Sequence, residues 1–239
     1  MKIRNWATII SVCCLGWHQL YAGNLVSGID TIYTPDADNK NLVFMEVSDS
    51  LGQLIAAGHL LNGKKDGVFR TYTSKNTIMT VQEFREGVLD GISLHFVESG
   101  MLESEESLRK GVLHGRRVKY RFGGIKRLVE NYVDGKLHGM KIIYYDSGYM
   151  MEVSMYKNGL REGITKWYNE GEQLSIEYTY KAGKLEGAAT TYYSNSQKEQ
   201  VGIYKDDLEE GEWKYFDMNG KLIKTVNFKA GIVLKEKVY

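Results

Sequence analysis

The chain has 239 residues, and its 31 Lys and Arg against 30 Asp and Glu leave a formal net charge of +1. That balance excludes the strong basic excess of a dedicated nucleic-acid binder, so no nucleic-acid partner is expected. Glycine is abundant at 26 residues, tyrosine reaches 17 and proline occurs once, as Pro35, which disfavours long helices and points to many turns between aromatic-rich strands.

At the start of the chain, Lys2 and Arg4 form a short basic region ahead of the mostly apolar Trp6 to Gly16. That run is too short to span a bilayer, which needs roughly 20 residues. Leu20-Tyr21-Ala22 resembles a small-residue cleavage pattern. Residues 1–22 are therefore expected to be a secretory signal cut before Gly23, sending the chain to the periplasm, the cell envelope or the exterior. Cys13 and Cys14, the only cysteines, fall inside it. The mature chain would then have no disulfide, thiolate metal site or cysteine nucleophile. A buried N-terminal segment or a lipidated cysteine is the alternative, although Ile10-Ser11-Val12 matches a lipobox poorly.

Residues 23–38, with Pro35, read as a leader or edge segment, and residues 39–239 as an array. Asn41 to Leu60 reads as a degenerate first hairpin, because Gly52 falls in phase with Gly100, Gly124 and Gly148. From there a 24-residue period runs without insertion. One glycine series is Gly63, Gly87, Gly111, Gly135, Gly159 and Gly183, continuing through Asp207 to Gly231. A second is Gly67, Gly91, Gly115, Gly139, Gly163, Gly187 and Gly211. Aromatic residues keep the interval at Tyr72, Phe96, Tyr120, Tyr144, Tyr168, Tyr192 and Phe216. A further row holds Phe84, Leu108, Tyr132, Tyr156, Tyr180, Tyr204 and Phe228. Four in-phase columns at a constant period define a repeat array.

Within one unit, Met140 to Tyr145 is β-branched and aromatic, Asp146-Ser147-Gly148 is turn chemistry, Tyr149 to Tyr156 is a second strand-like run, and Lys157-Asn158-Gly159 turns into the next unit. Two strands and two turns make a β-hairpin. Short connections keep successive hairpins adjacent. The predicted fold is all-β: an elongated, single-layer antiparallel meander of about seven full hairpins with degenerate ends, advancing about 9.5 Å per unit at ordinary strand spacing. Rings at that spacing are too far apart to pair directly, since pairing needs about 4.5 to 7 Å. The Phe84 row, on alternate strands, is therefore expected to fill the gaps in the Tyr72 row and supply the packing that a second layer would otherwise give.

Aromatic, Lys-x-Gly-x-Leu-x-Gly, then aromatic-x-x-x-Gly, best seen from Tyr132 to Gly148, Tyr156 to Gly171 and Tyr180 to Tyr193, resembles MORN repeats. The likeness is greatest to the bacterial variant of exported and antitoxin-like proteins, and it covers about Asn39 to Tyr239. It implies a hairpin fold and a role as scaffold, protein-binding surface or lipid binder. Asp207 and Lys235 depart from the glycine columns, Asn76 and Ser196 replace the turn glycine, and Gly171 comes one residue early; these put local turn geometry in question.

Gly58 to Lys65 is nearly a P-loop, but Lys65 stands where magnesium needs Ser or Thr and a strand is expected to follow. His114 and His138 sit one unit apart with no third ligand evident, so no metal is expected. Their column continues as Asp66, Asp90, Glu162, Glu186 and Glu210, which reads as polar turn residues bonding nearby backbone. No Gly-x-Ser-x-Gly or His-Glu-x-x-His element occurs, so neither catalytic residues nor a cofactor are expected and the chain is not read as an enzyme. Arg116, Arg117, Lys119, Arg121, Lys126 and Arg127 cluster without an acid between them, just after Glu98, Glu103, Glu105 and Glu106. With a turn near Gly111, Glu106 would face Arg117 as a cross-strand pair. The other reading is a basic stripe for anionic lipid headgroups or an acidic protein. Tyr145, Tyr193 and Tyr215 are further contact candidates on the face opposite the main ladder. These features point to an exported, non-catalytic scaffold that binds another protein at the envelope, with a peripheral lipid-binding module or an antitoxin-like neutraliser as alternatives.

Overall fold

A computed structural model describes residues 28–239; the expected signal segment, with both cysteines, lies outside the described residues. The described chain forms one open antiparallel sheet of 21 strands. Strands pair with their sequence neighbours throughout, beginning with Asp30–Pro35 on Leu42–Ser48 and ending with Leu222–Lys229 on Ile232–Val238. Pro35 closes the first edge strand, a position where its missing N–H costs no ladder bond. Three two-residue strands, Lys64–Lys65, Lys136–Leu137 and Leu160–Arg161, are the leading pieces of longer runs that stay unbroken elsewhere, as in Val88–Phe96.

Consecutive units are joined by two-residue turns with positive φ at both central residues, such as Asn158 at 53° and Gly159 at 87°. This is the type I′ geometry that matches strand twist. Asp207 holds φ 67° and keeps the same turn without glycine, while its Oδ1 accepts the Leu185 N–H at 2.7 Å. The turn within each hairpin needs one left-handed residue. Asn76 at 60° and Ser196 at 65° supply it, and so does Glu172 at 62°. Gly171 does not substitute, because the turn selects a position in the register rather than a residue type.

The second glycine series creates a bulge. Phe84 pairs with Leu89 and Gln82 with Ser93, so Glu83 alone faces Asp90, Gly91 and Ile92. Two extra residues per bulge preserve the alternation of faces. At the end of the array Lys235 replaces this glycine. There Phe228 pairs with Val233 and Asn227 with Lys235, leaving a single extra residue. One residue reverses the faces of the strand that follows.

Paired residues share a face, which gives the sheet a ring face and a reverse face. A row on the ring face runs through Met45, Gly58, Phe69, Gln82, Ser93, Glu106, Arg117, Glu130, Lys141, Ser154, Thr165, Tyr178, Ala189, Gly202, Trp213 and Val226. At one end Phe69 packs with Met45 and Leu60. At the other, Trp213 is 3% exposed. Both rings lie over a glycine of the preceding strand, Gly58 and Gly202, where any Cβ would strike the ring.

This corrects the expected aromatic ladder. The Phe84 row pairs with the second glycine series, as in Gly67 with Phe84, whereas Tyr72 pairs with Ile78 beside the opposite turn. The two rows lie at opposite ends of the strands and cannot interleave. Among the described residues, the close pairs of Phe, Tyr and Trp rings are instead Phe69–Phe84, Trp167–Tyr178, Tyr178–Tyr204, Tyr204–Trp213 and Trp213–Phe228, with centroids 5.1 to 6.2 Å apart and steeply inclined planes.

Candidate interaction surfaces

The middle of the ring face carries charge. Glu106, Arg117, Glu130 and Lys141 follow one another across four strands, with N–O separations of 3.0, 3.9 and 3.5 Å. Glu130 is 5% exposed and also accepts the Tyr132 hydroxyl at 2.9 Å. Burial raises the Tyr132 pKa; Arg117 opposes that and Glu130 adds to it. One unit on, Glu152 accepts from Arg161 at 2.7 Å and from the Trp167 indole at 3.0 Å. Burial disfavours the Arg161 charge, but the Tyr156 hydroxyl, Glu152 and Tyr180 outweigh it and lift the pKa above the usual value. The reverse face shows the complement: Val118 and Val129 pair there at 0% and 7% exposure.

The six clustered cations are not brought onto one surface. Arg117 and Lys119 project from the ring face, while Arg116 projects from the reverse face, 3.8 Å from Glu105. Glu106 does face Arg117 in register. Lys126 is exposed and pairs in register with Tyr120. Arg121 bridges to Asp146 in the next hairpin turn. Arg127 borders two open depressions: one of about 600 Å³ with Arg121 and Lys141, the other of about 380 Å³ with Arg117 and Lys119. Beside them Phe122, at the tip of its turn, is 83% exposed.

The polar column after each inter-unit turn acts on backbone. Asp66, Glu162, Glu186 and Glu210 accept the N–H of Glu86, Ala182, Asp206 and Ala230, at 2.8 to 3.1 Å, and so cap the first residue of the next turn. Bonds from Lys229 and from the Ala230 N–H hold the Glu210 carboxyl below its ordinary pKa. His114 Nδ1 lies 3.2 Å from Asp134. Asp134 is lowered chiefly by its bond from Arg109. Among the described residues, no group of three or more His, Cys, Asp or Glu is placed to hold a metal. The P-loop-like stretch is an ordinary turn at Asn62-Gly63, with the Lys65 ammonium over the Phe69 and Phe84 rings.

Two of the three tyrosines named as contact candidates are bonded within the array. Tyr145 donates to the Tyr168 carbonyl at 2.7 Å and Tyr193 to that of Phe216 at 2.9 Å, each stitching a turn to the next hairpin. Tyr215 lies under the Lys224 ammonium. It projects from the ring face, since it shares a strand face with Trp213.

A sheet of stitched 24-residue hairpins defines a repeat protein. Residues 161–182 and 209–230 match the model of the MORN repeat variant, and these matches support assigning the array to that repeat family. MORN repeats are non-catalytic modules that generally bind proteins or membrane lipids. No curated protein matches the chain. Among solved structures, the TcdB2-TccC3-Cdc42 complex and the Photorhabdus luminescens Tc holotoxin pore each overlap 84% of this chain at 14% identity and a TM-score of 0.25. This chain spans only 14% and 13% of those two chains. A porin-like protein from Bacteroides uniformis overlaps 88% of this chain and 94% of its own, at 12% identity and a TM-score of 0.19.

Proposed function

We propose that the protein is a non-catalytic scaffold, exported to the cell envelope, that binds another protein along its array. The observation that supports this reading is the open sheet itself. Its stabilising contacts run between neighbouring hairpins, so broad stretches of both faces are free to meet a partner. Export rests on the basic-apolar start of the chain and the cleavage pattern at Ala22. Capture of tagged protein from solubilised envelope of the native organism, followed by mass spectrometry, should return one stoichiometric protein partner. A mature N-terminus at Gly23 should be found by the same means. Recovery of no protein above background, or an uncut chain in the cytoplasm, refutes the reading.

Peripheral membrane binding is the second reading. It is favoured by Phe122, exposed at a turn tip beside Arg121, Lys126 and Arg127. Sedimentation with anionic vesicles, lost on Phe122→Ser with Arg127→Ala, would select it over the protein scaffold.

A further inference from the structure

On the reverse face, the second half of the array presents an exposed row without charge. Met140 pairs with Met155, Ile164 with Thr179 and Ala188 with Ile203, across six consecutive long strands. Met140, Met155, Ile164 and Ile203 are 43%, 42%, 48% and 53% exposed. The row ends where Asn131 and Glu212 take its place. An apolar band of this kind on a protein surface marks an interaction site.

Two residues along each second strand, on the same face, stand Lys157, Lys181 and Lys205. All three are exposed and make no ion pair among the described residues. Lys181 faces Lys184 in register, an unfavourable like-charge pair that Asp206 offsets only for Lys184, at 2.8 Å. Of the nearby carboxylates, Glu162 and Glu186 accept turn N–H groups, and Glu210 accepts one together with the Lys229 ammonium while also feeling the charge of Lys205. An apolar band bordered by unpaired lysines calls for an acidic and apolar partner.

The spacing selects its form. The lysines recur every two strands, about 9.5 Å. Seven residues of α-helix rise about 10.5 Å and return to the same side. In an extended strand, residues three apart span about 10 Å but point to opposite faces. We infer that the Met140–Ile203 row with Lys157, Lys181 and Lys205 docks an amphipathic α-helix of a partner protein, lying across the strands, with carboxylates at heptad spacing beside an apolar stripe. This deepens the protein-scaffold reading and rests on it.

The test titrates the full chain into a labelled 21-residue helical peptide with Glu at positions i, i+7 and i+14 beside a leucine stripe, followed by fluorescence anisotropy. A peptide of the same composition with the stripe scrambled is the control. Binding at least tenfold tighter for the striped peptide is expected. It should be lost in the chain carrying Lys157→Glu, Lys181→Glu and Lys205→Glu, and weakened several-fold by Met155→Ser with Ile164→Ser, both with unchanged circular dichroism. Equal affinity for the two peptides, no binding of either, or striped binding that survives the lysine reversal overturns the inference. So does lysine-dependent sedimentation with phosphatidylserine vesicles in the absence of striped-peptide binding. Should the triple variant still capture the envelope partner, the scaffold reading stands and this surface alone is refuted.

Discussion

Two stretches of the same repeat solve the single-layer problem on opposite faces. Near the C-terminal end, Tyr178, Tyr204, Trp213 and Phe228 pack edge to face on the ring face, while Lys166 and Glu177 occupy the reverse face 3.1 Å apart. In the middle, the ring face carries the Glu106–Arg117–Glu130–Lys141 ladder, and the apolar contact of Val118 with Val129 lies on the reverse face. Ser154 and Thr165, both 0% exposed, stand between the two regimes. A hairpin array needs adhesion between neighbouring strands on one face at a time, and the side can change along its length because each unit touches mainly its neighbours.

The largest effect that would test this contrast is Trp213→Ala. It strips a nearly buried ring from Gly202 and should cost about 3–5 kcal/mol in urea unfolding. Hydrogen exchange should show the loss confined to the C-terminal units. Uniform loss through the Glu106–Lys141 region would mean that the two stretches form one cooperative core.

Glu130→Ala probes the middle. It leaves Arg117 and Lys141 facing a gap and should cost about 2 kcal/mol, below the value for a fully buried pair because both cations are partly solvated. Glu130→Leu combined with Lys141→Leu should unfold within about 1 kcal/mol of the native chain, since apolar residues commonly replace an inward ion pair without loss. A much larger penalty would show that the ladder depends on charge rather than on volume.

At the boundary, the Thr165 hydroxyl is buried without a hydrogen-bond partner. Thr165→Val keeps the shape and removes that group, so a gain of about 1 kcal/mol is expected; thermal melting would detect it, and a loss would expose a polar contact at that site. The smallest effect concerns pH. Burial pushes the Tyr204 phenol from 10.0 up to about 12. A raised pKa favours the protonated fold, so its contribution is complete below pH 10 and is lost as pH rises toward 12. Tyr204→Phe should move the alkaline unfolding midpoint upward, followed by tyrosinate absorbance; an unchanged midpoint would assign alkaline lability elsewhere.

Much of the architecture was legible in the chain. The 24-residue period, the hairpin, the inter-unit turns and the backbone-capping role of the Asp66–Glu210 column all depend on local chemistry that repeats with the sequence. The Glu106–Arg117 pair expected from the sequence does form, but the turn at Lys110-Gly111 alone would set Glu106 against Gly115, and it is the two extra residues at Gly115 that bring Arg117 into register. Ring pairing was not legible. The two extra residues at each second glycine shift everything beyond them, which carries the Tyr72 and Phe84 rows to opposite ends of the strands. The signal that finds the true packing is a glycine eleven residues before a large ring, at Gly58 with Phe69 and Gly202 with Trp213. Tyr145 and Tyr193 look free in a sequence, since only the next hairpin supplies the carbonyls they reach.

The sequence by itself determined the repeat, the meander and the places where the chain must turn, because those follow from backbone conformations that particular residues favour over a few positions. Tertiary structure alone decided which face each stretch buries, how Arg116 separates from Arg117 and Lys119 onto opposite faces, and which lysines stand exposed beside the Met140–Ile203 row. Those outcomes depend on bulges and on neighbours in adjoining strands and hairpins, where a displacement of one residue exchanges the two faces of a strand.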